Sequence, residues 1–152
     1  GELFASSFKI PAILTNKNEQ VIEELQILGM NFGTIFQILD DLLDYFGSNE
    51  TGKKLGQDFY DGKVTLPVII SYEESNKEGR KIWEEIFKKD LRNKNDLKKA
   101  TDLINKNHAI ERTLDLANTY GDQAKKDLST FKDSPIKKGL INLVELSLIR
   151  DH

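Results

Sequence analysis

Phe36-Gln37-Ile38-Leu39-Asp40-Asp41-Leu42-Leu43-Asp44-Tyr45 is the stretch that decides how this chain is read. Three carboxylates stand inside an otherwise apolar helical run. Helical spacing puts Asp40 and Asp44 on one face, with Asp41 on the shoulder and Gln37 one turn before Asp40. Ionised carboxylates at that spacing repel by roughly 3 kcal/mol at an effective dielectric of about 20. Ile38, Leu39, Leu42, Leu43 and Phe46 leave no broad polar face over which the charge could spread. A cation resolves the conflict, and closely spaced hard oxygens suit Mg²⁺, with phosphate oxygens and waters completing its octahedron.

Working outward, Leu25, Leu28, Phe32, Ile35, Leu39, Leu42 and Phe46 advance by three or four, which predicts one helix from Glu19 to Phe46. A second stripe on it runs Gly29, Gly33, Gln37, Asp40, Asp44. Glycine inside a helix costs about 1 kcal/mol relative to alanine, so two of them one turn apart predict the close approach of a neighbouring helix or of a ligand.

After the acids, Gly47 to Gly62 carries four glycines and reads as a loop. Lys53, Lys54 and Lys63 come directly after the acids, so a modest fold-back brings ammonium groups to an anion held by a metal. Metal, lysine and backbone amides are the ingredients of a diphosphate site.

The remaining segments are helical as well. Residues 2 to 14 hold an apolar rhythm that Pro11 is expected to kink or stop, and Thr15 to Asn18 form a turn able to cap the next helix. Thr65-Leu66-Pro67 opens a helix over Val68 to Glu74 that reads as buried on most sides. Further helices are predicted over Lys81–Asp90, with Trp83 as core or interface filler, and over Asp96–Asn105 and Ile110–Phe131. A last one starts at Pro135, and His108 reads as a helix boundary. No segment alternates as a strand would. The prediction is a single all-α region over residues 1–152.

At 152 residues, 38% hydrophobic and 31% charged, the chain is long enough for a real core beneath a solvated surface. Net charge is −3 with both signs interspersed, so no basic stripe points to nucleic acid. No segment approaches the length of an apolar membrane span. The absence of cysteine excludes disulfide and thiolate chemistry and fits a cytoplasmic protein. The chain opens on Gly1-Glu2 rather than Met and reads as a piece of something longer.

Three linked motifs carry a resemblance: Gly33-x-x-Phe36-Gln37-x-x-Asp40-Asp41-x-x-Asp44, then Gly52-Lys53-x-x-Gly56-x-Asp58, then Asp61-Gly62-Lys63-x-Thr65-Leu66-Pro67. Their order and spacing resemble the trans-isoprenyl diphosphate synthase (polyprenyl synthetase) family, specifically its C-terminal half. The resemblance implies an isoprenoid-synthase type helical bundle that joins an allylic diphosphate to isopentenyl diphosphate, with homodimers as the usual assembly. It implies Asp40 as principal Mg²⁺ ligand, supported by Asp41 and Asp44. It places Gln37 and Phe36 at the substrate, Lys53 and Lys63 on the diphosphate, and Asp58 beside Lys53 or a metal-bound water. The face lined by Gly29 and Gly33 would give the growing prenyl chain room.

The loop from Thr51 to Gly56 resembles that of bacterial octaprenyl-type synthases. The family carries two aspartate motifs, of which these residues hold only the second, so the chain alone is expected to be inactive without the N-terminal half. Two other readings are a non-catalytic regulatory subunit of a heteromeric synthase and a class I terpene cyclase. The Gly-Lys-x-x-Gly-x-Asp and Gly-Lys-x-Thr-Leu-Pro segments favour the synthase.

Overall fold

A computed structural model describes residues 1–46 and 55–148. Within them every regular element is a helix: α1 (Glu2–Leu14), α2 (Glu19–Phe46), α3 (Gln57–Tyr60), α4 (Leu66–Glu74), α5 (Lys77–Phe87), α6 (Lys94–Lys106), α7 (Ala109–Ser129) and α8 (Pro135–Leu148). The chain divides into two compact units, one formed by Gly1–Leu39 with the residues from Leu116 onward, the other by Asp40–Asp115.

In the first unit, α1 continues through Pro11 to Leu14, so the proline does not stop the helix. Proline removes one amide bond, to the carbonyl of Ser7, but both residues are exposed and water can take that carbonyl, while Ala5 and Ala12 anchor the buried face. The polar turn caps α2 as expected, the Asn18 side chain accepting the Val21 N–H at 2.9 Å. Its buried apolar residues include Ala5, Ala12, Leu28, Phe32, Ile35, Ile38, Leu39, Ala117, Ala124, Leu128 and Val144. Phe8 packs on Phe32 with ring centroids 5.3 Å apart.

The α2 glycines mark close helix packing. A Cβ at Gly29 would lie 2.6 Å from the Phe4 carbonyl oxygen, and one at Gly33 would lie 2.6 Å from the Cα of Gly1. The space that the sequence assigned to a growing prenyl chain is therefore filled by the backbone of α1 and its leading residue.

The second unit is built on Tyr45, Phe59, Val68, Trp83, Ile86, Ala100, Leu103, Ile104 and Ala109. Phe59 is fully buried and meets the rings of Tyr45, Tyr60 and Phe87 edge-on at 6.4, 5.8 and 6.0 Å. Trp83 is core, as read from sequence. Helix α5 starts four residues earlier than expected because Asn76 caps it, accepting the Gly79 N–H at 2.9 Å. Helix α6 starts two residues early on an Asn93/Asp96 capping box. His108 sits at the α6–α7 boundary with φ 51°. Helix α4 is less buried than its composition suggested. Val64, Ile69 and Tyr72 are exposed beside a groove of about 380 Å³ that also touches Val68, Trp83 and Phe87.

Candidate functional site

The acids at the end of α2 organise the second unit through its backbone. Asp44 is 4% exposed and reaches the start of α3 with all three of its oxygens. Its Oδ1 accepts the Asp58 N–H at 3.1 Å, its Oδ2 the Phe59 N–H at 3.2 Å, and its backbone oxygen the Gly56 N–H at 2.7 Å. Gly56, the residue before α3, adopts φ 77° and has no side chain with which to cap the helix, so Asp44 supplies the cap from another helix. Burial pushes the Asp44 carboxyl above the usual carboxylate range, and the two amide bonds pull partly against it.

Asp41 does the same for α4. Its Oδ2 accepts the Leu66 N–H at 3.1 Å, while Thr65, the N-cap residue, gives no side-chain cap and donates its hydroxyl to Tyr45 at 3.3 Å. Asp40 is half-buried on the same helix.

Where the sequence predicted only loop, α3 forms one helical turn and ends in a Schellman cap. Gly62 stands at φ 82°, its N–H donating to Phe59 O at 3.1 Å, and the Lys63 N–H returns to Asp58 O at 2.9 Å. That reversal carries the Lys63 ammonium to Asp58 Oδ1 at 2.5 Å, with 62% of the lysine side chain still exposed. Asp58 raises the Lys63 pKa above its ordinary value, by the hydrogen bond first and by its charge second. Asp58 is thus the partner of Lys63, and its expected place beside Lys53 involves a residue outside the described ones.

Asp40, Asp41, Asp44 and Lys63 all lie in the second unit, while Phe36 and Gln37 are exposed on the part of α2 that belongs to the first. Phe36 packs against Phe4 at 5.8 Å between centroids. Lys53, with its neighbours Gly52 and Lys54, lies outside the described residues. Among the described residues no three His, Cys, Asp or Glu side chains gather so as to hold a metal by themselves. The donor chemistry nevertheless fits a hard cation that brings phosphate oxygens and waters with it. Asp40 and Asp41 are half-buried carboxylates, Asp41 with Oδ2 on the Leu66 amide, whereas both side-chain oxygens of the buried Asp44 are turned to amides.

The cap geometry went unread in the sequence, although its signal was present. Asp-Gly-Lys, five residues after a second glycine, has the spacing of one helical turn closed by an αL glycine.

A sequence profile described as Polyprenyl synthetase matches residues 1–104. The chain belongs to that family. Among curated relatives, the geranylgeranyl pyrophosphate synthase of Geoglobus acetivorans is 37% identical, covering 100% of this chain and 46% of that protein. Solanesyl-diphosphate synthase 2 of Oryza sativa subsp. japonica is 32% identical, covering 97% and 36%. The solved polyprenyl synthase from Caulobacter crescentus CB15, complexed with calcium and isoprenyl diphosphate, superimposes with a TM-score of 0.88 at 34% identity, covering 99% of this chain and 46% of that one. The chain thus spans less than half the length of these relatives, in keeping with the C-terminal half that its motifs resemble. No helix among the described residues is long and apolar enough to cross a membrane.

Proposed function

We propose that this chain carries the diphosphate-binding half-site of a prenyltransferase that condenses an allylic diphosphate with isopentenyl diphosphate. In that reaction the allylic C–O bond breaks, a C–C bond forms to isopentenyl diphosphate, a proton is lost and pyrophosphate leaves. The observation that carries the proposal is the cluster of Asp41, Asp44, Asp58 and Lys63. Asp44 bonds the backbone of Asp58, whose side chain holds Lys63, and Asp41 separately caps α4 through the Leu66 N–H, in a chain of the polyprenyl synthetase family.

On this reading Asp40 is the principal Mg²⁺ ligand and Asp41 its half-exposed neighbour. Asp44 fixes the α3 turn and so contributes through geometry. Bound Mg²⁺ would neutralise charge developing on the leaving diphosphate. Lys63, held by Asp58 with its head in solvent, is placed to meet the same anion, the electrostatic stabilisation that a leaving diphosphate needs. Gln37 and Phe36 are assigned to the substrate, and Lys53 to the diphosphate, as the motif match implies. The complete enzyme is proposed to work in the cytoplasm as a homodimer with the N-terminal half present.

The test is prenyl transfer from an allylic diphosphate to labelled isopentenyl diphosphate. The 152-residue chain alone is expected to give no elongated product. A polyprenyl synthase carrying these residues as its C-terminal half is expected to turn over only with a divalent cation and to fail with Asp40→Ala. Turnover by the isolated chain, or full activity of Asp40→Ala, would overturn the proposal.

A further inference from the structure

Arg92, in the break between α5 and α6, is bonded sparingly for a guanidinium in such a position. Its Cζ lies 5.0 Å from the centroid of the Phe87 ring, and its Nη2 reaches the Phe87 carbonyl oxygen at 3.4 Å. Its Nε is buried with no acceptor. Buried donors almost always find a partner, so an arginine serving only to fill the break has a poor arrangement here.

What the guanidinium does touch is the glycine of the α3 cap. A Cβ placed on Gly62 would meet Arg92 Nη1 at 3.0 Å, Nη2 at 3.2 Å and Cζ at 3.3 Å. The guanidinium thus occupies the space beside the bare Cα of Gly62, its two Nη atoms nearest. Gly62 is the αL residue on which the reversal turns, and the next residue is Lys63.

We propose that Arg92 is a positioning residue for Lys63. Wedged between Phe87 and Gly62, it keeps the α3 cap closed, so that the Lys63 N–H stays on Asp58 O and the ammonium stays on Asp58 Oδ1. A planar group is required, because only a flat cation both stacks on an aromatic ring and lies against a bare Cα. The role deepens the diphosphate reading above and rests on it for its functional consequence.

Two readouts on the 152-residue chain test it. The ¹⁵N signal of the Lys63 ammonium reports the pairing with Asp58 without any ligand. It is expected to move in Arg92→Ala and Arg92→Lys toward its position in Asp58→Asn, and an unchanged signal overturns the proposal. Arg92→Lys, which keeps the charge and most of the side-chain bulk, keeps the test open should Arg92→Ala fold poorly.

The second readout is binding of inorganic pyrophosphate with Mg²⁺. Arg92→Ala is expected to weaken it about tenfold, the scale of one charge-assisted hydrogen bond, and to add nothing in a Lys63→Met background. Independent, additive losses would assign Arg92 a role that does not pass through Lys63, against the proposal. If the unsubstituted chain binds no pyrophosphate, the diphosphate reading falls, and the ammonium signal alone decides the positioning role.

Discussion

Asp44 shows how the unusual surroundings of one side chain can be legible in the sequence while its partners are not. Its position among apolar neighbours predicted an unusual environment, and its burial with two amide bonds supplies one. Asparagine at this position would keep one acceptor and set an N–H₂ group against the other amide. Asp44→Asn is therefore expected to lower stability by about 1–3 kcal/mol, seen as a shift in the urea midpoint. A change within experimental error would mean that the α3 cap is dispensable.

Asp96 gives a pH-dependent counterpart in the α6 capping box. Its Oδ1 takes the Lys89 ammonium at 2.5 Å and its Oδ2 the Asn93 N–H at 3.0 Å, and these hold its carboxyl below the usual value of 3.8, the lysine bond most of all. A lowered native pKa contributes stability that is fully present above pH 3.8 and is lost as pH falls through the native value. The stability gap between the unsubstituted chain and Asp96→Asn is therefore expected to be constant from about pH 7 to 5 and to shrink below about pH 4, in unfolding curves collected across that range. A gap that widens on acidification would contradict this account.

Among the elements, helices whose signal is periodic were legible, and those whose signal is a cap were not. The bounds of α2 follow directly from Leu25, Leu28, Phe32, Ile35, Leu39 and Leu42, since one face must be apolar throughout. The short α3 has too few residues to show a period and exists because Asp44 and Gly62 close its two ends, a long-range fact and a local one. The glycines of α2 announced a close approach without saying whether a helix or a ligand makes it, because a missing Cβ is the same signal in both cases. The candidate residues were visible as a pattern, while the division of labour among Asp41, Asp44 and Asp58 depends on which amides and which ammonium they meet.

Two glycines test the packing account in opposite directions. At Gly29 a methyl group would press on the backbone of α1, which cannot swing aside, so Gly29→Ala is expected to lower the melting temperature by an overpacking cost of about 1–3 kcal/mol. At Gly139, inside α8, nothing lies within 4 Å of the added carbon, and alanine is expected to stabilise by up to about 1 kcal/mol. Equal effects at both sites would show that α1 does not rest on the glycine face.

At the scale of the whole molecule, the second unit holds Asp40, Asp41 and the Asp58–Lys63 pair within one compact body. On the proposed reading this is the unit that presents the anion site, in a chain that spans less than half the length of its curated relatives. Among the described residues three carboxylates do not converge into a cage for a bare ion, so metal and diphosphate should bind together, each completing the other's coordination. The most direct measurement is calorimetric titration of inorganic pyrophosphate into the 152-residue chain, with and without Mg²⁺, repeated for Asp40→Ala. The account expects binding that needs Mg²⁺ and is lost in Asp40→Ala. Binding of equal strength without the metal, binding unchanged in Asp40→Ala, or none at all in the unsubstituted chain would contradict it.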